Sequence, residues 1–395
     1  MAQGDGAAGK PAARRRFILL WLAGIDLRLT ILAVPPVLPL IHRDLALDEK
    51  GVAALTGLPV LLFGLIAVPG SLVIARIGAR RAVIAGLLVV AFASALRGLG
   101  PSVPMLFAMT FAMGAGVAII QPALPALVSR WFAGRVGLAT AVYANGLLIG
   151  EVLAASLTLP LVLPLVAGSW QWSFVVWAMP VLATALLFRL GTAEAAPSAG
   201  HGPARWWPDW WDARTWQLGL LQGGASALYF ASNAFLPDYL HATGQAGLVN
   251  ACLTALNAGQ LPASFLVLAL ASRLAGQKQP FIAAALLGLC SLAALLLLPV
   301  PAAMIAGAAC IGFAAAFVLI LTLALPPLLA PPADVHRLSA GVLTISYLVT
   351  FIVPFLGGAV WDATAIAAAA FLPGAVGALL VLVLAAALRP VRARG

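Results

Sequence analysis

The sequence predicts an all-α, polytopic membrane protein of twelve transmembrane helices in two parallel six-helix halves. Three observations predict it. Of 395 residues, 63% are hydrophobic and 9% charged, with a mean hydropathy of +1.07, whereas a soluble domain is about half apolar and about a quarter charged. The apolar residues gather in runs near the ~20 residues that ~30 Å of hydrocarbon requires. Features of the first half also recur in the second at an offset of about 197 residues, the mark of a duplicated unit.

Charges and turn residues cut the runs. The first span, 17 to 41, follows Arg14, Arg15 and Arg16 as a secretory leader would. Asp26 and Arg28 interrupt it, however, and no small-residue cleavage site follows, so a retained helix is expected. The second, 52 to 75, stops at Arg76; the third, 82 to 99, lies between Arg81 and Gly100-Pro101; the fourth, 103 to 128, stops before Arg130. The fifth, 138 to 166, starts after Arg135 and stops before Gly168, and the sixth, 173 to 190, reaches Arg189. Beyond a polar stretch, the seventh, 216 to 240, lies between Arg214 and His241, and the eighth, 247 to 271, stops before Arg273. The ninth, 281 to 299, follows Lys278; the tenth, 303 to 329, stops before Pro331-Pro332; the eleventh, 339 to 360, and the twelfth, 366 to 388, are parted by Asp362.

The formal charge of +10 and pI of about 10.5 would suggest a nucleic-acid partner in a soluble protein, but here the basic residues sit at span edges and act as topology signals. With the N-terminus inside, 18 of the 22 Lys and Arg residues face the cytoplasm; only Arg43, Lys50 and Arg97 face outside, and Arg28 lies within the membrane. That asymmetry orients the chain with both termini cytoplasmic. The expected parts are an N-terminal tail over 1–16, a six-helix bundle over 17–190, a cytoplasmic loop over 191–215, a second bundle over 216–388 and a tail over 389–395. The end of the loop, Arg205-Trp206-Trp207-Pro208-Asp209-Trp210-Trp211, fits a segment lying in the headgroup region. Arginine outnumbers lysine 19 to 3, a bias that points to a bacterial inner membrane.

In the repeat, Leu38-Pro39 maps to Leu236-Pro237, and the basic loop Arg76 to Arg81 maps to Arg273 to Lys278. Gly70-Ser-Leu-Val-Ile-Ala-Arg76-Ile-Gly78-Ala-Arg80-Arg81 resembles the major facilitator superfamily's motif between its second and third helices, with Ala75 where an acidic residue is usual. The resemblance implies the major facilitator fold and a gating role for Gly70, Arg76, Gly78, Arg80 and Arg81. More narrowly, the chain resembles the cyanate and 2-nitroimidazole transporter family. Asp26-Leu27-Arg28 stands where that family tends to have Asn-Leu-Arg-Pro. Pro125, Phe132 and Arg135, Tyr229-Phe230, Leu236-Pro237, Gln260-Leu261-Pro262, Phe317 to Leu323, Ser339 to Tyr347, Pro354, Gly358 and Asp362 follow in the family's order.

An ionisable side chain at mid-bilayer costs ~3 kcal/mol or more on insertion scales, so Asp26, Arg28 and Glu151 are the leading site candidates. At ~1.5 Å per residue they lie ~14, ~17 and ~20 Å deep, near the midplane where transporter cargo binds. Arg28 offers a planar fork of donors for a carboxylate, cyanate or nitro group; its alternative role is a structural ion pair with Glu151 or Asp26. Asp26 and Arg28 stand about 200° apart on a helix, so one of them faces a neighbouring helix. Glu151 follows Gly146-Leu-Leu-Ile-Gly150, a spacing that lets helices approach closely, and it serves either as a proton carrier or as the partner of Arg28. Among uncharged groups, Tyr229, Asn257 and Tyr347 are favoured as substrate ligands by depth and by the family's fold, ahead of Gln121, Tyr143, Asn145, Gln222, Asn233, Gln260 and Ser346.

Cys252, Cys290 and Cys310 lie singly in apolar stretches, and His42, His201, His241 and His336 fall in loops or at span ends. Neither a metal nor another cofactor is expected. No Gly-x-Ser-x-Gly elbow, His-Glu helix pair or phosphate-binding Gly-x-x-x-x-Gly-Lys loop occurs, so an enzyme is not expected. The expected function is proton-coupled secondary transport of a small anionic or nitro-bearing compound by a monomer in the bilayer, with no nucleic-acid partner. The alternatives are a proton-coupled exporter of neutral or cationic drug-like compounds, and a membrane receptor or scaffold.

Overall fold

A computed structural model describes residues 6–47, 49–99, 102–191, 205–274 and 276–388. Pro197, Gly200, His201, Gly202 and Pro203 of the expected central loop, and Arg389, Arg392 and Arg394 of the expected C-terminal tail, lie outside the described residues. Every regular element among the described residues is helical. Among the described residues, eleven helical segments are long and apolar enough to cross a membrane. The remaining expected span, 216 to 240, is the 30-residue helix Ala213–Ala242, whose run includes Gln217, Gln222, Asn233 and Asp238.

The chain divides into two compact units. The first comprises Met1–Ala133, Val142–Trp207 and Pro332–Ala340. It holds α1 (Gly6–Leu32), α2 (Val34–Leu45), α3 (Glu49–Ile77), α4 (Ala79–Leu99) and α5 (Val103–Trp131). It also holds most of α6 (Val136–Leu157), then a π-helical turn at Thr158–Val162, α7 (Leu163–Leu165) and α8 (Trp170–Gly191). The first span is therefore two helices, parted at Ala33. Pro35 and Pro36 open α2 and have no N–H, so the carbonyls of Ile31 and Leu32 lose the donors that would continue the helix. The stub still buries Val34, Val37 and Ile41, at helical spacing, in an outer cluster with Leu55, Leu106, Trp170 and Phe174.

The second unit comprises Gly134–Ala141, Pro208–Pro331 and Gly341–Gly395. Its helices are α9 (Ala213–Ala242), α10 (Val249–Ala258), α11 (Gln260–Leu274), α12 (Gln279–Leu297), α13 (Pro301–Leu323), α14 (Leu325–Leu329), most of α15 (Val335–Thr364), and α16 (Leu372–Ala386). Its core gathers Leu228, Leu236, Leu240, Leu256, Leu292, Ile311 and Phe371. Here too a span is broken: α10 and α11 part at Gly259, just before Pro262.

Glycine decides how closely these helices pack. A Cβ on Gly24 of α1 would stand 2.1 Å from the Tyr143 carbonyl of α6, and one on Gly146 would stand 2.2 Å from that of Trp21. A Cβ on Gly150 would stand 2.2 Å from the carbonyl of Ile25. The three make a backbone-to-backbone seam between α1 and α6, which only residues without a Cβ permit. In the second unit, Gly259 against Ala309 and Gly312 against Leu256 do the same for α10 and α13.

Candidate functional site

In the first unit the α1–α6 seam fixes the depth of the ionisable residues. The Trp21 indole donates to Asn145 Oδ1 at 3.0 Å, locking the register next to Gly146. Arg28 follows about two turns later on α1, partly exposed, with its guanidinium 5.9 Å from the Phe63 ring, and its charge acts on Glu151, next to Gly150 on α6. Asp26, 2% exposed, turns elsewhere, toward Thr184 of α8. Thr184 in turn donates to the Pro180 carbonyl at 3.0 Å. The two-residue separation on one helix accounts for this split, because side chains about 200° apart meet different neighbours.

Arg97 departs from expectation. It lies at a span end, in the last turn of α4, as the sequence suggests, but its side chain is 0% exposed and so adds a second interior cation to Arg28. α4 continues past it to Leu99. Its Nη2 donates to the Thr30 carbonyl at 2.9 Å and to Ser94 Oγ at 3.0 Å, and its guanidinium lies 4.5 Å from the Phe174 ring. Its Nε and Nη1 make no hydrogen bond. Its partners come from α1 and α8 as well as from Ser94 of its own helix, so no local pattern alone marks such a residue.

In the second unit, Tyr229 of α9 donates its hydroxyl to Asn257 Oδ1 of α10 at 2.5 Å. Asn257 Nδ2 donates to Asn233 Oδ1 at 3.2 Å and to the Leu253 carbonyl at 2.8 Å. Gln260 Nε2 donates to Tyr229 Oη at 2.9 Å, and Asn233 Nδ2 donates to the Tyr229 carbonyl at 3.2 Å. The four side chains thus form one connected polar cluster at the break between α10 and α11. Gln260 and Asn233 are not among the favoured ligands; the run Asn257-Ala-Gly-Gln-Leu-Pro262, in which a proline interrupts a polar stretch of an apolar span, is the signal that points to Gln260, whereas Asn233 is brought in by its contacts with Tyr229 and Asn257. Tyr347 is buried on α15, 9% exposed.

In the loop that resembles the superfamily motif, Gly78 has φ +85° between α3 and α4, a conformation a side chain would strain. Gly70 lets α3 approach α5, since a Cβ there would stand 3.1 Å from Ile119 Cα. Arg80 donates to the last carbonyls of α8, Phe188 at 3.2 Å and Arg189 at 2.9 Å, where a helix's free carbonyls favour a cation. Arg76 and Arg81 are exposed. Nearby, Ser71 Oγ donates to the Trp206 carbonyl at 2.7 Å. Among the described residues no cluster of three or more metal-ligating side chains forms.

Residues 17–208 match the Major Facilitator Superfamily. The chain is 28% identical over 345 residues to the cyanate transport protein CynX of Escherichia coli K12, covering 86% of this chain and 88% of that one. It is 29% identical over 374 residues to the 2-nitroimidazole transporter of the same organism, covering 89% and 90%. Among solved structures, the major facilitator transporter FucP in its outward conformation superposes with a TM-score of 0.75 at 16% identity, over 94% of this chain and 98% of that one. The human organic anion transporter MFSD10 superposes with a TM-score of 0.72 at 15% identity, over 95% and 99%. The helical architecture and these relatives together make this chain a membrane transporter of the major facilitator superfamily.

Proposed function

We propose that this transporter carries a small anionic or nitro-bearing compound across a bacterial inner membrane by alternating access, coupled to protons. The observation that carries the reading is Arg28: a partly exposed guanidinium at mid-membrane depth on α1, with its charge acting on Glu151. An anion needs a cation to replace its water, and a buried charge left without one costs several kcal/mol. The guanidinium fork suits two oxygens of a carboxylate or nitro group, or the end of a cyanate. The relatives named for cyanate and 2-nitroimidazole transport support the same chemistry. In this reading Tyr229, Asn257 and Tyr347 supply hydrogen bonds, and the loop of Gly70, Arg76, Gly78, Arg80 and Arg81 takes part in gating.

When the anion engages Arg28, Glu151 loses its cation, and a proton is the simplest neutraliser of a carboxylate in hydrocarbon. Asp26, turned toward Thr184, is the second candidate for the coupling proton. The chain works as a monomer with both termini and the 191–215 loop in the cytoplasm, and its parts are the two tails, the two bundles and that loop, as the sequence divides them. Transporter relatives and a transporter fold favour a carrier over an enzyme, receptor or scaffold.

The test is flux into proteoliposomes against cyanate, nitrate, small carboxylates and nitroimidazoles at two pH values. Arg28→Lys keeps the charge and loses the fork, so it should weaken transport in part; Arg28→Gln should nearly abolish it in a folded protein. Restoration of anion transport by Arg28→Gln combined with Glu151→Gln would reduce Arg28 to an ion-pair role and favour an exporter of neutral or cationic compounds.

A further inference from the structure

The two basic loops that the sequence pairs at an offset of about 197 residues end differently. In the first unit Arg80 ties its loop to the last helix, donating to the Phe188 and Arg189 carbonyls at the end of α8. At that offset Arg80 corresponds to Gln277, and the two carbonyls correspond to those of Ala385 and Ala386 in the last turn of α16. Gln277 is exposed, shorter than an arginine and uncharged. Among the described residues its side chain makes no hydrogen bond to α16. Gln217 of α9 holds α16 instead, its Nε2 donating to the Leu384 carbonyl at 3.0 Å.

Where the arginine bridge is missing, the second unit has a cavity of about 310 Å³. It lies wholly within that unit, among the start of α9, the loop between α11 and α12, the start of α12, α14 and the end of α16. Arg214, Gln217 and Gln277 give it a polar side, and Phe281, Leu329 and Leu388 an apolar one. Arg214 stands in the first turn of α9, where the helix dipole favours an anion over a cation. Its backbone N–H donates to Asp212 Oδ1, the cap of α9, at 3.0 Å. Among the described residues its guanidinium makes no hydrogen bond or ion pair, and no acidic side chain lines the cavity. Arg273 in the last turn of α11 and Lys278 at the start of α12 stand on either side of the loop. On α16, exposed Val376, Leu379 and Val383 share one face with Ala387, which lines the cavity.

We infer that this cavity binds the headgroup of an anionic phospholipid, with the phosphate on the Arg214 fork beside Gln277 and an acyl chain along the exposed face of α16. Guanidinium matches phosphate with two parallel hydrogen bonds, and basic pockets between membrane helices suit anionic headgroups. The volume stands at the lower end of the ~300–1,000 Å³ of ligand pockets, so it holds a headgroup and leaves the tails to the apolar stripe outside. A soluble anion has no use for that stripe. Residues 389–395 carry Arg389, Arg392 and Arg394 and no acidic side chain, so the negative charge comes from another molecule. The inference rests on the membrane setting, and neither the cargo nor the proton coupling proposed above enters it.

The test needs no transport substrate. The purified full chain, stripped of lipid in an uncharged detergent, is titrated with phosphatidylglycerol and with phosphatidylcholine, which carries the same phosphate without net charge. Native mass spectrometry counts the bound lipid. The unmodified chain should bind phosphatidylglycerol at least tenfold more tightly than phosphatidylcholine. Arg214→Gln should weaken phosphatidylglycerol binding at least tenfold, the factor expected for losing a hydrogen bond from a charged donor. Ala387→Trp, which fills the cavity's edge at constant charge, should weaken it to a similar degree. Both replaced side chains are exposed, so the fold is kept. Arg135→Gln, an equal loss of charge at an exposed residue outside the cavity, should change the affinity less than twofold. Unaltered affinity in either Arg214→Gln or Ala387→Trp overturns the site, and an equal loss in Arg135→Gln overturns it in favour of a net-charge effect. Equal binding of the two lipids overturns the anionic choice. Competition by glycerophosphoglycerol as strong as by the whole lipid overturns the lipid in favour of a soluble phosphate.

Discussion

Replacing Gly150 by alanine tests how the α1–α6 seam positions the charged residues. The added Cβ would stand 2.2 Å from the Ile25 carbonyl oxygen and 2.9 Å from both its carbonyl carbon and its Cα. Ordinary contact begins at 3.4 Å, so the helices must part by roughly 1 Å. The obstacle is backbone, which cannot rotate away, so the cost belongs near the top of the ~1–3 kcal/mol range for overpacking. Alanine's better helix propensity returns about 1 kcal/mol, leaving a net loss of about 2 kcal/mol, or roughly 4–8 °C in Tm. The larger effect falls on transport. Gly150 precedes Glu151, and Ile25 lies three residues before Arg28, so the parting occurs at the charged residues themselves. A 1 Å displacement of a positioned group can lower a rate by roughly 10²-fold. Purified protein gives the first quantity by thermal unfolding, and proteoliposome flux gives the second. Gly134→Ala, where the added Cβ meets nothing within 4 Å, is the control. Wild-type flux and Tm in Gly150→Ala, or equal damage in Gly134→Ala, would refute the reasoning.

Three further outcomes are expected. Glu151→Gln should abolish accumulation driven by a pH gradient while sparing counterflow exchange, and unchanged accumulation in both Glu151→Gln and Asp26→Asn would remove both carboxylates from proton coupling. Tyr229→Phe removes the hydroxyl between Gln260 Nε2 and Asn257 Oδ1, taking from Asn257 Oδ1 that donor and leaving Gln260 Nε2 the Asn257 carbonyl at 3.5 Å, at a cost of roughly 1–3 kcal/mol; a Tm within experimental error of wild type would show that the cluster does not depend on that hydroxyl. Trp211 is 98% exposed, so a cysteine there should react with an impermeant maleimide only in inverted vesicles, and labelling of intact cells would reverse the proposed topology.

Hydropathy is a local property summed over about 20 residues, so the sequence alone settled the helical class and the positions of the spans. The seventh span is the most diluted of them: Ala213–Ala242 forms a full-length helix, as expected, although it carries glutamines, an asparagine and an aspartate, and Leu228, Leu236 and Leu240 pack it into the core of its unit. Asp26, Arg28 and Glu151 were legible as site candidates for a related reason: charge inside an apolar run is costly wherever the helices go. Only the tertiary structure decided their partners. It separated Asp26, turned toward Thr184, from Arg28, whose charge acts on Glu151; it joined Gln260 and Asn233 to Tyr229 and Asn257; and it buried Arg97, which sequence position placed at a span end. Those outcomes depend on which helix face meets which neighbour. That is set by glycine-to-carbonyl contacts such as Gly146 with Trp21 and Gly150 with Ile25, between residues more than 100 positions apart, whose meeting no local pattern encodes.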